Sequence, residues 1–350
     1  MTTPTQWRPP RALVNRAADA AAVTPASARA RAFHAALPGY APTPLRELDG
    51  LARELGVASV ALKDESDRLG LPAFKALGAS WAVERALAER PQIRTLVAAS
   101  AGNHGRAVAH EAARRGLRAR IFVPSRAAAG RRAAIAAEGA ELVVVDGDYE
   151  LAVEIAAREG RAADAVELAD VGASGPARWV IDGYATLFAE LDERDLLLVP
   201  IGVGSLGAAA ARHAAARGAR VIGVEPASAA CLTAALAAGA PTTVATPGTS
   251  MAGLDCALVS AAAWPDLRAG VHGTLTVADA EVHAAMRELA AAGLRIGDCG
   301  AAPLAALRAL AADPAARALR TAVGLDAGTR VALIATEGAT DPDGYARTLA

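Results

Sequence analysis

Short apolar runs alternate with longer helix-periodic segments over most of this chain, and that alternation limits the fold more than any other feature. "SVALKDE", "TLVAAS", "RARIFVP", "AELVVVDG", "DLLLVPIG", "ARVIGVEP" and "RVALIATEG" read as strands. Between them "PAFKALGASWAVERALAER", "GNHGRAVAHEAARRG", "SRAAAGRRAAIAAEG", "DYELAVEIAAREG", "WVIDGYATLFAELDER" and "SLGAAAARHAAARG" read as helices. The strand runs are continuously apolar, as strands covered on both faces must be. The expected class is therefore α/β, with open parallel sheets and crossover helices on both faces. Residues 1–42 read as an Ala-, Arg- and Pro-rich arm with one helix near Pro25–Ala36. Thr43-Pro44 suits a helix start, with Thr as N-cap and Pro first inside, and Pro72 is placed at the front of the helix that holds Lys75.

Composition narrows the function. The 350 residues are 53% hydrophobic, with a formal net charge of -1 and 3% aromatics. There is no basic surplus for nucleic acid or anionic lipid, and few rings for base stacking. Cys231, Cys256 and Cys299 include no CxxC pair, so no metal site is expected. The start "MTTPTQWRPPRALVNR" has no apolar h-region, and the uncharged run from Ala227 to Met251 contains Pro241 and Pro247, which suits a membrane span poorly. A cytoplasmic protein without membrane attachment is the expectation.

Four features sit where open α/β sheets bind ligands, at strand ends and helix starts. Lys75 follows Phe74 in an otherwise apolar, small-residue helix. Its amine either snorkels to water or is bonded to a carbonyl cofactor. Ser100-Ala101-Gly102-Asn103-His104-Gly105 follows "TLVAA" and offers close backbone approach, an amide and a titratable ring, or simply a capped turn. Gly202-Val203-Gly204-Ser205-Leu206-Gly207 puts backbone amides at a helix start, an arrangement suited to phosphate. It lacks the GK[ST] of a Walker loop. Its glycine spacing departs from a dinucleotide fingerprint, although Glu225 at a later strand end keeps a nicotinamide reading open. Thr336 ends the last strand, where a hydroxyl can meet a ring nitrogen or cap a turn. Pyridoxal phosphate is the one cofactor that would use all four: a lysine, an anion nest and polar partners for its ring.

The segments "KDES…LPAFKALGAS", "SAGNHGRAVA", "GVGSLG" and "GVEP" resemble the tryptophan-synthase-β-like, fold type II pyridoxal-phosphate enzymes. "DGYATLFAE", "MAGLDC" and "TEGATDPDGY" are narrower and resemble the diaminopropionate ammonia-lyases. The resemblance runs from about residue 40 to the C-terminus. It implies a large cofactor domain of residues 43–92 and 176–350, with a small α/β domain, 93–175, inserted. It implies that Lys75 forms the Schiff base and then serves as acid and base, and that Asp170 is the second catalytic group. Phe74, Asn103, Gly202, Val203, Gly204, Ser205, Leu206 and Thr336 would contact the cofactor, with Asn103 near O3′ and Thr336 near the pyridine nitrogen. Ser100, Ala101, Gly102 and His104 would line the substrate.

One departure stands out. The lyases carry an aspartate where this chain has Ala101, and that carboxylate serves the D-isomer. The implied activity is elimination of ammonia from 2,3-diaminopropionate, the L-isomer in particular, to pyruvate and ammonia, by a homodimer. A serine/threonine dehydratase-like or β-replacement enzyme on the same scaffold is the alternative. A catalytically silent protein that binds cofactor or amino acid is the alternative of another class. Whether Cys231 and Cys256 pair is open.

Overall fold

The computed structural model describes residues 8–147, 149–173 and 175–350. Eleven strands are formed among them: β1 Ala12–Val14, β2 Leu45–Glu47, β3 Ser59–Asp64, β4 Thr95–Ala99, β5 Arg118–Pro124, β6 Glu141–Val145, β7 Ala165–Glu167, β8 Leu196–Pro200, β9 Arg220–Pro226, β10 Gly273–Val277 and β11 Arg330–Ala335. They make two sheets. The larger has the order β1-β10-β9-β8-β11-β3-β2, and the smaller β6-β5-β4-β7. All neighbours in the small sheet are parallel. So are those of the large sheet from β10 to β3.

The edges of the large sheet differ from the sequence expectation. β1 and β2 pair antiparallel, to β10 and β3. Both are three residues long and carry no strand signal of their own; the neighbouring strand recruits them. The N-terminal arm thus supplies an edge strand, with Asn15 held by Arg268 O and Val271 O. Thr43-Pro44 does not start a helix. The chain continues into β2, and the helix Asp49–Leu55 begins later. Thr43 Oγ1 instead donates to Glu65 Oε1 at 2.5 Å. The helix of Lys75 also begins after its expected start at Pro72 and spans Lys75–Glu89. Pro72 O accepts from Gly338 N, and Phe74 N donates to Thr336 O, so this stretch is stitched to the end of β11 before it can coil.

Helices cover both faces, and the tightest crossing lies directly behind the lysine. Helix Gly175–Ala189 packs on helix Lys75–Glu89 at Gly78 and Gly183. A Cβ on Gly183 would meet Leu77 O at 2.5 Å, and one on Gly78 would meet the Tyr184 ring at 2.5 Å. Only glycine permits that approach, which gives "KALGA" and "DGYATLF" a packing reason. His34, from the helix Arg29–Ala35, is fully buried against the same pair of helices. Its Nδ1 is 2.7 Å from Thr186 Oγ1, and its Nε2 is 3.1 Å from Leu77 O and 3.0 Å from Ser80 Oγ.

Candidate active site

β3, β8 and β11 are parallel neighbours, so their carboxyl ends open on one side of the sheet. There the chain sends out Glu65, the loop from Gly202 and Thr336. Lys75 is carried to the same place by the stitched turn before it. Its Nζ lies 2.8 Å from Asp170 Oδ2, with side chains 19% and 14% exposed. The amine also stands 5.4 Å from the Phe74 ring centre and 5.9 Å from that of Tyr184, and the two rings pack at 4.7 Å.

The electrostatics of this pair are lopsided. Burial pulls the Lys75 ammonium down, but the Asp170 carboxylate outweighs it and holds the amine well above the usual lysine range. Burial pushes the Asp170 carboxyl up, and the neighbouring His104 and Lys75 bring it well below the carboxylate range. His104 is itself driven down by burial. The backbone of Asp170 is fixed as well, its carbonyl accepting from Ser205 Oγ at 3.0 Å.

The glycine loop after β8 has its carbonyls engaged and its amides free. Gly202 O lies 3.4 Å from Cys231 Sγ, and Val203 O accepts from Ser260 N at 2.8 Å. Among the described residues the amides of Gly202, Val203 and Gly204 find no acceptor. Gly204 has φ +97° and opens the helix Ser205–Ala215, with Leu206 buried behind it. A Cβ on Gly202 would stand 2.7 Å from Gly253 O. This is a backbone anion nest at a helix N-terminus.

Thr336 Oγ1 is the second open group. The residue is 4% exposed, and the hydroxyl makes no hydrogen bond among the described residues. Leaving a buried hydroxyl unpaired costs roughly 1–3 kcal/mol, which points to a partner outside the chain.

In the loop after β4, Ser100 Oγ accepts from Gly102 N, Ala101 is half-buried against the core, and Gly102 caps the helix Asn103–Arg114. Asn103 Nδ2 donates to Glu337 Oε2, a partner that nothing in local sequence signals. Glu337 belongs to a second group that sequence reading missed. Asp298, Cys299 and Glu337 bring their ligand-type atoms within 4.8 Å of one another. Burial and then the Glu337 carboxylate push the Asp298 carboxyl up to about 7. Tyr149 was also passed over; its hydroxyl donates to Ala99 O at 3.3 Å. Cys231 and Cys256 are free thiols that both lie near Gly202, and Cys299 is a buried free thiol. Asp182 is paired with Arg212 Nη1 at 2.7 Å.

A lysine amine, an anion nest, an unpaired hydroxyl and two rings suit the cofactor of a fold type II pyridoxal-phosphate enzyme. The chain belongs to that family: residues 36–328 match the family model described as pyridoxal-phosphate dependent enzyme. It is similar to the diaminopropionate ammonia-lyase of Salmonella typhimurium, 33% identical over 90% of this chain and 89% of the relative. Its fold is similar to a crystal structure of the diaminopropionate ammonia-lyase from Escherichia coli in complex with an aminoacrylate-PLP azomethine reaction intermediate. That likeness has a TM-score of 0.89 and 28% identity, and covers 98% of this chain and 97% of that one. A D-serine complex of the same Escherichia coli enzyme gives 0.87 and 28%, over 97% and 96%. The cofactor is pyridoxal phosphate, and the residues present fit it. The unpaired Thr336 hydroxyl and the free amides of the glycine loop are groups the cofactor would satisfy.

Proposed function

We propose that this chain eliminates ammonia from 2,3-diaminopropionate, with pyruvate and a second ammonia as final products after hydrolysis. The observation that carries this reading is the 2.8 Å contact of Lys75 Nζ with Asp170 Oδ2 beside the anion nest. When bound, pyridoxal phosphate supplies an electron sink for the negative charge left at the substrate α-carbon. Its phosphate would lie on the amides of Gly202, Val203, Gly204 and Ser205, with Leu206 behind them, Thr336 Oγ1 at the pyridine nitrogen, and Phe74 and Asn103 along the ring.

The residues of the chain do the rest. Lys75 would hold the cofactor through its amine, and as a free amine it would take the proton from the substrate α-carbon. The β-amine leaves as ammonia only from its protonated form, and Asp170, or Lys75 once it holds the α-proton, would be the acid that keeps it protonated. Ser100, Ala101, Gly102 and His104 form the wall facing the substrate. A methyl at Ala101 offers no base on that wall, which favours the L-isomer. We further propose that residues 43–92 and 176–350 act as the large domain and 93–175 as a small inserted one, behind an arm of 1–42. The working form would be a cytoplasmic homodimer. No helix among the described residues is long and apolar enough to cross a membrane.

The test is the absorption spectrum of the cofactor-loaded protein before and after L- and then D-2,3-diaminopropionate, with pyruvate assayed. A visible band that changes with the L-isomer and yields pyruvate is expected. Lys75→Ala should remove both band and turnover, the latter by at least about 10³-fold. Turnover of serine or threonine with none of diaminopropionate would move the chain to the dehydratase reading.

A further inference from the structure

The site contains hydrogen-bond acceptors with nothing to accept from. His104 Nε2 lies 2.6 Å from Leu168 O. A carbonyl only accepts, so Nε2 carries the ring proton and Nδ1 is a bare lone pair. His104 is 4% exposed, and its Nδ1 has no hydrogen-bond partner among the described residues. That nitrogen stands 3.9 Å from Asp170 Oδ2, two acceptors facing each other across a gap.

Tyr149 meets the end of the strand beside these groups. It is the first residue of helix Tyr149–Glu159, and its hydroxyl proton is committed to Ala99 O. Ala99 ends β4, and β4 pairs with β7, the strand that leads to Asp170. Val97 is opposite Glu167, and Leu168 N donates to Val97 O. Burial and the Asp170 charge raise the phenol above its usual range, so it stays neutral. A neutral Tyr149 oxygen whose proton is taken has lone pairs to offer.

In the chain alone, the Lys75 ammonium is paired with Asp170. Once Lys75 is engaged by the cofactor, Asp170 has lost its cation. We propose that Tyr149 Oη and His104 Nδ1, with the Asp170 carboxylate, form a pole that receives the β-ammonium of the substrate. An ammonium has three N–H donors for three acceptors and a positive charge for Asp170, whereas a β-hydroxyl has one donor and no charge. The pole therefore selects diaminopropionate over serine at binding. This deepens the ammonia-lyase reading and rests on it.

The experiment compares the cofactor-loaded full chain with its Tyr149→Phe variant. Affinity for L-2,3-diaminopropionate and for L-serine is read from the change in cofactor absorbance, beside KM and kcat for each. Tyr149→Phe keeps the ring, so the fold stays intact. Affinity and KM for diaminopropionate should weaken about tenfold, the weight of one hydrogen bond to a charged group, with kcat little changed. Serine affinity should stay within about twofold. Equal weakening for both, or none for either, overturns the pole. If the parent chain binds diaminopropionate better than serine but releases no ammonia, the reaction assignment fails while loss of preference in Tyr149→Phe still upholds the pole. If ammonia is released and the variant keeps the full preference, the pole alone fails. A parent chain that does not bind diaminopropionate overturns both.

Discussion

Two regions of this molecule bury polar groups, and they do it in opposite ways. Beside the start of the Lys75 turn, the side chains of Lys63, Glu65, Arg68 and Glu190 are each at most 1% exposed, and every charge is answered. Glu190 takes Lys63 Nζ at 2.6 Å, Arg68 Nη2 at 2.7 Å and the Tyr40 hydroxyl at 2.8 Å. Arg68 also grips Glu65 and Thr43. At the strand ends, Thr336 Oγ1 and His104 Nδ1 are equally buried and answered by nothing among the described residues. A complete network fixes one backbone geometry; an incomplete one holds places for a ligand. The complete network brackets the turn whose Leu69 has φ 56°, and so sets where Lys75 emerges. Scaffold and site differ less in polarity than in how far their hydrogen bonding is finished.

The contrast predicts which substitutions act on folding and which on function. Glu190→Ala leaves Lys63 and part of Arg68 without a carboxylate in a dry interior. It should destabilise the chain by about 3–5 kcal/mol, measured by urea unfolding of the cofactor-free protein. Burial pushes the Glu190 carboxyl up, but Arg68 and Lys63 outweigh it and hold it at about 2. Its contribution is therefore full above the unfolded carboxyl value, roughly 4.3, and is lost as the pH falls toward 2. Loss of less than about 1 kcal/mol in Glu190→Ala would show that the network is not what holds the turn.

His34 gives the next largest effect. It too is finished, bonded to Thr186, Ser80 and Leu77. Burial lowers it to about 4. Between that value and roughly 6.5 the unfolded chain binds a proton that the folded chain refuses, so stability falls as the pH falls through this window. Unfolding at pH 5 against pH 8 should show a loss of about 2 kcal/mol from this residue. His34→Gln should flatten that part of the profile; an unchanged slope would mean that the ring takes its proton without breaking the contacts.

The sequence carries the strand–helix alternation, the glycine loop from Gly202 and the position of Lys75 openly, because each depends on neighbours in the chain. Asp170 was harder, since it meets Lys75 only through the placement of β7 against β4, and β7 is too short to announce itself. β10 was not read as a strand at all. Its Thr274 and Thr276 look polar, and only the fold shows them buried and bonded to Thr233, Pro10 and Arg11. Glu190 and Arg68 belong to different helix and turn segments far apart in sequence, so no spacing rule joins them. The Glu337–Asn103 contact and the reach of Tyr149 to Ala99 are hidden for the same reason. Local chemistry is legible in a sequence; completion of a hydrogen-bond network is a property of long-range packing.

Thr336→Val gives the smallest stability effect and cuts the comparison most sharply. In the finished network, removing a polar atom strips a partner from its neighbours. At Thr336 the hydroxyl has no partner in the chain to strip, and the branched shape is retained. Cofactor-free protein should therefore unfold at the same urea concentration or slightly higher, a change of about 0 to +1 kcal/mol. The loss should fall on cofactor binding instead: about tenfold weaker affinity, the worth of one hydrogen bond to a ring nitrogen, read by titrating pyridoxal phosphate against absorbance. Destabilisation of 1–2 kcal/mol with unchanged cofactor affinity would place Thr336 in the scaffold, and the division between finished and unfinished polar burial would no longer mark the site.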